Sequence, residues 1–262
     1  MNPAMWVSKT GVQAQDAKLQ AIANNLANVN TVGFKRDRAV FADLFYQIDR
    51  PPGARNDDNT VSPSGVQLGN GTRLVGTQKV FTTGNIQTTG QTYDVAIGGQ
   101  GFFQVEQANG EMAYTRSGAF SINDQGRLVT STGMPITPEV TIPANATNVV
   151  IGEDGQVSAT VPGQAEPVQV GQITLVNFMN PAGLLALGDN LYQETVASGV
   201  PTEGTPGQDA LGKLKQGALE GSNVQVVEEM VDMIAAQRTY EMNTKVLTSA
   251  DNMLQYLAAA VR

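Results

Sequence analysis

Apolar residues near the start of the chain recur every seven positions, a spacing that indicates one face of a helix. The pattern predicts a helix from about Asn2 or Pro3 to Asn28, and proline suits a first helical position because it has no N–H to leave unpaired. Ser8 and Gln15 interrupt the apolar face with polar side chains. We therefore expect a coiled-coil-like seam made of Met5, Val12, Leu19, Ile22, Leu26 and Val29.

A matching stripe runs through the last part of the chain. Ser222 or Asn223 could cap this second helix, and Glu228 and Glu229 lie in its early turns, where the helix dipole favours carboxylates. Periodicity alone also fits two core helices of a globular domain, but both stripes lie at the ends, beside a region of different character. We expect the second seam to contain Val226, Met233, Tyr240, Leu247, Leu254, Leu257 and Val261.

The region between the stripes, from about Thr72 to Gly217, shows short alternating runs separated by turn residues. Asn109-Gly110 lies between two such runs, and Asn-Gly in that position is the strongest short signal for a β-hairpin. The segments 123–126 and 153–156 repeat the pattern, and 168–172, 173–178 and 190–194 add further runs. Strands at this spacing predict an antiparallel sandwich or partial barrel.

The segment from Tyr46 to Gly71 is rich in proline, glycine and charge. A stretch of this length without a periodic pattern is uncommon inside a compact domain, so it is either functional or disordered. We expect a long loop or an extended arm, one use of which is to reach a neighbouring subunit. Its characteristic residues are Tyr46, Pro51, Pro52, Gly53, Pro63 and Gly65.

Together these patterns predict an α+β fold. The terminal helices pair as a coiled-coil-like α domain, and between them lie a β-rich antiparallel middle domain and the extended arm. The expected boundaries are 1–30 for the first helix, 31–71 for the connecting segment and arm, 72–220 for the middle domain and 221–262 for the last helix. Two helices at the ends of a chain suit a subunit that packs with its copies.

Composition narrows the function. The chain of 262 residues has a net charge of −8 and a pI of about 4.6, and its one local basic cluster is Lys35-Arg36 with Arg38, so nucleic-acid binding is not expected. The absence of Cys and His excludes disulfides, thiol catalysis, a Ser-His-Asp triad and the usual zinc sites. No signal peptide or long apolar run is visible, so a soluble cytoplasmic protein is the default, with export by a route without a cleaved signal left open.

Catalytic, cofactor and metal sites are not expected. The glycine cluster at 98–101 is followed by a strand-like Phe102-Phe103 rather than by a helix, so tight turns explain it better than phosphate binding. Glu228 and Glu229 are adjacent on a helix and do not face each other, which makes them a poor acid–base pair.

Three stretches of the sequence resemble bacterial flagellar rod and hook proteins, and the likeness covers the whole chain. The first run contains Asn24, Asn25, Asn28, Thr31, Gly33, Phe34 and Lys35. Residues 94–103 with 114–120 are similar to the middle-domain motif of that family, and residues 222–241 to its closing helix. Within the family, the chain length and the 46–71 insertion are similar to those of distal rod subunits.

The resemblance implies a structural subunit that is exported unfolded through the flagellar type III apparatus and needs no cleaved signal. It implies a helical homopolymer, a rigid hollow drive shaft of the basal body in the periplasm, that transmits torque from motor to hook. The implied partners are its own copies, proximal rod proteins, the hook protein or its junction, the peptidoglycan and outer-membrane rings, and the export apparatus. We expect the 46–71 arm to stiffen the rod.

Other functions stay open at this point. A hook or proximal rod protein would also be an axial subunit of the same family, although the insertion and the length argue against it. A wall hydrolase that clears a path for the rod would need two acids across a cleft. A β-sandwich binding module would leave both terminal stripes unexplained.

Overall fold

Helices form the two ends of the chain, and antiparallel strands form most of what lies between them. The structure is a computed structural model that describes residues 3–53, 55–57, 60–61, 63–163 and 166–260. It divides into two compact units. The first contains the chain up to Leu26, Asp37–Gln78 and the chain from Gln225 onward, and the second contains Ala27–Arg36 and Lys79–Val224. The α+β class is confirmed.

The first unit contains both helices, α1 (Pro3–Ala27) and α2 (Val226–Ala260). At a rise of ~1.5 Å per residue they are about 37 Å and about 52 Å long. The predicted start at Pro3 is confirmed, whereas Asn2 and Val261 lie outside the described residues. The predicted cap at Ser222 or Asn223 is wrong, because α2 begins at Val226 and the Glu229 N–H donates to the Gln225 carbonyl at 3.0 Å.

The segment predicted as a loop or arm consists largely of paired strands. The strands of the first unit are β1 (Asp37–Asp43), β2 (Tyr46–Arg50), β3 (Arg55–Asp57), β4 (Thr60–Val61), β5 (Val66–Gly69) and β6 (Thr72–Lys79). β1 pairs with β6, β2 with β5, and β3 with β4. The arm is thus a ribbon, and every residue of β2 and β5 is exposed.

The second unit is made of short strands. They are β7 (Ile86–Thr88), β8 (Val95–Gly98), β9 (Phe103–Glu106), β10 (Met112–Thr115), β11 (Phe120–Ile122), β12 (Leu128–Thr130), β13 (Ile136–Thr137), β14 (Asn148–Ile151), β15 (Gln156–Thr160), β16 (Val168–Gln172), β17 (Leu175–Asn177), β18 (Leu185–Gly188), β19 (Leu191–Gln193), β20 (Thr202–Gly204), β21 (Lys213–Gln216) and β22 (Ala218–Glu220). A 3₁₀ turn covers Pro181–Gly183.

These strands form several small antiparallel sheets. The largest has the order β13-β9-β10-β19-β18, and a second has the order β14-β15-β16. The remaining pairs are β11-β12, β17-β20, β8-β21 and β7-β22. The predicted hairpins are confirmed: Asn109-Gly110 joins β9 to β10, segment 123–126 joins β11 to β12, and segment 153–156 joins β14 to β15.

Two apolar clusters form the core of the second unit. The larger includes Val95, Ile97, Phe103 and Val105, all without solvent exposure. The smaller is aromatic and contains Phe102, Tyr114, Val176, Phe178 and Tyr192, with Phe81 packed against it. Its rings meet edge to face, as Tyr114 and Phe178 do with centroids 4.8 Å apart, which is a favoured geometry for aromatic pairs.

Across the residues that the structure describes, no helix is long and apolar enough to cross a membrane.

Candidate assembly site

Asn25, a member of the sequence signature, is almost completely buried in the first unit. Its Oδ1 accepts from the Asp37 N–H at 2.8 Å, and its Nδ2 donates to the Asp37 carbonyl at 2.9 Å. The same Nδ2 lies 3.3 Å from each carboxylate oxygen of Glu229 on α2. The neighbouring Asn24 donates to the Asp37 carboxylate at 3.2 Å. One amide therefore ties the end of α1 to the start of β1 and to α2.

The rest of the signature forms a tight turn in the second unit. The Thr31 hydroxyl donates to the Asn28 side-chain oxygen at 3.1 Å, and the Phe34 N–H donates to the Thr31 carbonyl at 3.3 Å. Gly33 has a φ of 71° and its N–H donates to the Glu220 carbonyl at 2.7 Å. A Cβ at this position would lie 2.7 Å from the Ser117 nitrogen, so the turn needs glycine.

Lys35, which ends the signature, lies at the centre of a buried charge cluster. Its side chain has no solvent exposure, and its Nζ donates to Glu220 Oε1 at 2.6 Å and to the Thr82 carbonyl at 2.8 Å. Arg116 Nη2 contacts Glu220 Oε2 at 2.9 Å. The Gly84 N–H also donates to Glu220 Oε1 at 2.9 Å. The expected basic cluster is therefore wrong in part, because Lys35 is not on the surface.

This cluster joins segments that are distant in the sequence. Arg116 also donates to the carbonyls of Gly101 at 2.5 Å and Gly99 at 2.9 Å, so it holds the glycine turn that precedes β9. Burial and the positive charge of Arg116 together hold the pKa of Lys35 below its usual value, while Glu220 opposes that shift. One carboxylate thus serves two cations, and a buried charge left without its partner is strongly destabilising.

Asn223 adds a further connection in the second unit. Its Oδ1 accepts from the Arg36 N–H at 2.8 Å, and its Nδ2 donates to the Val80 carbonyl at 2.7 Å. The residue predicted to cap α2 instead joins two chain segments. Sequence reasoning missed this role, together with those of Arg116 and Glu220.

The predicted seam residues are only partly buried within the first unit, with one exception. Ile22 is buried, whereas Val226, Tyr240 and Leu254 are 39%, 37% and 41% exposed. Met5, Val12, Leu19, Leu26, Met233 and Leu247 are half-buried, as is Val29, which belongs to the second unit. The side chain of Leu257 lies outside the described residues.

The most buried positions of α2 are Glu229, Ala236 and Ala250, a line offset by three residues from the predicted one. The helices approach each other at individual positions. Lys18 Nζ lies 3.1 Å from Asp232 Oδ1, and a Cβ on Gly11 would lie 2.9 Å from Asn243 Nδ2. Small and polar residues therefore occupy the deepest positions, and the predicted bulky residues flank them with apolar surface exposed.

The arm residues lie on the ribbon and its turn. Tyr46 is 53% exposed, and Pro51, Pro52 and Gly53 form an exposed turn after β2. Pro63 is exposed, whereas Gly65 is half-buried. A Cβ on Gly65 would lie 2.3 Å from the Arg50 carbonyl oxygen, so glycine here permits close approach of two backbones.

Comparison with known proteins agrees with this architecture. Three family models match: the flagella basal body rod protein at residues 5–35, the flagellar hook protein FlgE/F/G D1 domain at 96–159, and the flagellar basal body rod FlgEFG protein C-terminal region at 215–260. The flagellar basal-body rod protein FlgG of Buchnera aphidicola subsp. Schizaphis graminum is 52% identical over 98% of this chain and 99% of its own.

Two rod proteins of a second organism differ in their sequence identity to this chain. In Caulobacter vibrioides, FlgG is 46% identical over 96% of this chain and 97% of its own length, whereas FlgF is 36% identical over 100% and 97%. The chain belongs to the family of flagellar basal-body rod proteins. Its similarity to FlgG along the full length identifies a structural subunit of the distal rod, in a family that has no enzymatic activity.

Proposed function

We propose that this chain polymerises helically with its own copies into the rigid, hollow distal rod that transmits torque from the motor to the hook. The observation that carries the proposal is the apolar surface along α2. Val227, Val231 and Ile234 are 76%, 62% and 53% exposed and lie on one side of the helix at spacings of three and four residues. An apolar face of this kind gains its stability from packing against another surface.

In this proposal α1 and α2 of each copy form a coiled-coil-like inner α domain that lines the tube, built from residues 1–30 and 221–262. The half-buried seam residues, including Leu19 and Leu247, complete their packing against the helices of neighbouring copies. The contacts Lys18–Asp232 and Gly11–Asn243 support the helix pairing. Residues 31–71 form the connecting segment and arm, and residues 72–220 form the middle domain.

The arm is proposed to stiffen the rod by bracing copies along the axis. An isolated two-stranded ribbon is marginally stable in water, and β2 and β5 are exposed on both faces. Neighbouring copies would cover them. Deletion of residues 46–71 is expected to give a bent or flexible polymer in electron micrographs, and a straight rod of normal length would contradict the role of the arm.

The surroundings of such a rod follow from the same proposal. The chain would be exported through the flagellar type III apparatus without a cleaved signal and would assemble in the periplasm. It would contact proximal rod proteins at one end and the hook protein or its junction at the other. The peptidoglycan and outer-membrane ring proteins would surround it.

The decisive experiment is electron cryomicroscopy of basal bodies from cells that lack this chain. We expect a truncated rod without its distal segment, hook or mature outer rings. A complete rod that lacks only the hook would instead indicate a hook protein, and loss of the whole rod would indicate a proximal rod protein. Intact flagella would contradict an axial role altogether.

A further inference from the structure

The second unit contains a cavity of about 190 Å³ with aromatic walls. Phe81, Phe102 and Phe178 line it, together with the polar side chains of Gln100, Arg116 and Asn177. The rings of Phe81 and Phe102 meet edge to face at 5.4 Å, and those of Phe102 and Phe178 at 5.8 Å. An apolar cavity of about 150 Å³ is large enough to hold a benzene ring. The cavity is therefore large enough for one aromatic side chain.

A second, open cavity of about 600 Å³ shares Phe178 and Met179 with the first and adds the acids Glu203 and Asp209 to the lining. We call the two together the aromatic groove. Met179 stands at its rim and is 95% exposed. Met179 extends the apolar lining of both cavities to the surface, and contiguous exposed apolar surface marks interaction sites.

The rim of the groove is held rigidly. The Asn180 N–H donates to the Ser198 carbonyl at 3.2 Å, and its side chain donates to the Ala197 carbonyl at 3.0 Å. The Thr195 hydroxyl donates to the Gly183 carbonyl at 2.6 Å. A rim fixed by these bonds loses little conformational entropy when a partner binds.

Among the described residues, Phe45 is the most exposed aromatic side chain, at 92%. It lies in the short break between β1 and β2, where the backbone is fixed on both sides. Asn70 donates to the Phe45 carbonyl at 2.8 Å, and the Leu44 N–H donates to the Gly71 carbonyl at 2.9 Å. A rigidly presented aromatic ring is the typical anchor of a protein interface.

Arg73 beside Phe45 carries the charge opposite to that of Glu203 and Asp209 in the groove lining. Every charged residue from Leu128 to Gly212 is acidic, so groove surfaces of two copies repel each other. Arg73 and Asp43 line the surface hollow that contains Phe45. Arg73 is the cation on that surface that can pair with the groove acids Glu203 and Asp209 when Phe45 is inserted.

We propose that Phe45 of one copy inserts its ring into the aromatic groove of another copy. The inference rests on the proposed polymerisation and names one of its contacts. Because the two surfaces differ, the contact is head-to-tail, and a contact of this kind repeats into an open helical filament when its rotation does not close a ring.

The native chain has no cysteine, which permits a direct test. The double variant Phe45→Cys with Met179→Cys is expressed in cells, basal bodies are purified, and a short bis-maleimide is added. We expect a ladder of covalent multimers on a denaturing gel. The control pairs Phe45→Cys with Val168→Cys, because Val168 on β16 is 39% exposed and lies outside the groove, and it should give no ladder.

The possible outcomes distinguish failure of the Phe45 contact from failure of the proposed polymerisation. Straight rods that contain the double variant without a ladder overturn the contact and leave the proposed function intact. A cross-linked monomer without multimers means that the groove holds Phe45 of its own chain, which also overturns it. Rods from which the chain is absent overturn the proposed function itself.

If the double variant does not assemble, the single variant Phe45→Ala tests the contact instead. Loss of an aromatic anchor typically weakens an interface at least tenfold, so we expect on the order of tenfold fewer rods per cell. Val150→Ala, at a 48% exposed position on β14, is the matched control and should leave the rod count unchanged. A rod count for Phe45→Ala equal to wild type overturns the contact.

Discussion

The two units of the chain solve opposite problems. Among its described residues, the second unit buries the charged side chains of Lys35, Arg116 and Glu220, which pair with one another and hold distant segments together within a single copy. The first unit leaves apolar side chains such as Val227 and Val231 exposed along α2. The difference supports the proposal that the helices of the first unit complete their packing against other copies, whereas the second unit is stabilised internally.

The largest expected effect is on the helices. Leu19→Asp or Leu247→Asp should abolish rod assembly, because polymerisation would bury an unpaired carboxylate. The single chain should stay folded, since both side chains are only half-buried in it. Motility and rod counts would measure assembly, and circular dichroism would check the fold. Gln13→Asp and Ser249→Asp, at exposed positions of the same helices, are the controls; normal motility of the leucine variants would refute the seam.

The next effect concerns the charge cluster. Glu220→Leu leaves two buried cations without their carboxylate and should lower the free energy of unfolding of the second unit by roughly 3–5 kcal/mol. Urea denaturation would measure the change. The exposed Glu153–Lys213 pair, 2.9 Å apart, provides the control, and Glu153→Gln should have no measurable effect. Similar midpoints for Glu220→Leu and wild type would show that the cluster contributes little.

A smaller effect is expected at the signature turn. Gly33→Ala combines a positive φ with a clash against the Ser117 backbone, and we expect a loss of about 1–3 kcal/mol. Gly110→Ala shares the positive φ, at 79°, but a Cβ there meets nothing within 4 Å, so it reports the backbone strain alone. Equal losses for the two variants in urea denaturation would mean that the close approach at Gly33 costs nothing.

Elements that depend on nearby residues could be predicted from the sequence. The extent of α1 follows from its heptad spacing and its Asn-rich end, and the β9–β10 hairpin follows from Asn109-Gly110 between two alternating runs. Even so, the start of α2 was placed too early. The side chain of Asn223 forms hydrogen bonds with the Arg36 N–H and the Val80 carbonyl instead of capping the helix. The local sequence indicated that Asn223 can form hydrogen bonds to the backbone, but it did not indicate which backbone groups Asn223 binds.

Interactions across the chain could not be predicted in the same way. Lys35 and Glu220 are 185 positions apart, and no local pattern distinguishes a buried lysine from a solvated one. The buried line of α2 was also missed, because a seam was expected where the large apolar residues lie. Alanine at positions 236 and 250 is buried instead, and small side chains allow close approach of a helix to its neighbours.

The smallest expected effect tests whether the aromatic core of the second unit excludes water as well as its charge cluster does. Burial, with a contribution from Glu194, raises the pKa of Tyr114 to about 12 from an unfolded value near 10. Because the folded pKa is the higher one, the stabilisation is complete below pH ~10 and is lost as the pH rises towards 12. At pH 11 the wild-type chain should have lost about 1 kcal/mol relative to its stability at pH 9 through this group.

The variant Tyr114→Phe should lack that component. Between pH 9 and pH 11, the urea midpoint of this variant should therefore fall less than the urea midpoint of the wild-type chain. Each midpoint is first expressed as a difference from the value of the same protein at pH 8. The hydroxyl of Tyr114 lies 3.4 Å from Glu194, so Glu194→Gln should reduce the pH dependence only in part. Parallel curves for Tyr114→Phe and wild type would mean that the phenol reaches water in the folded state, and that the second unit is less closed around its aromatic core than around Glu220.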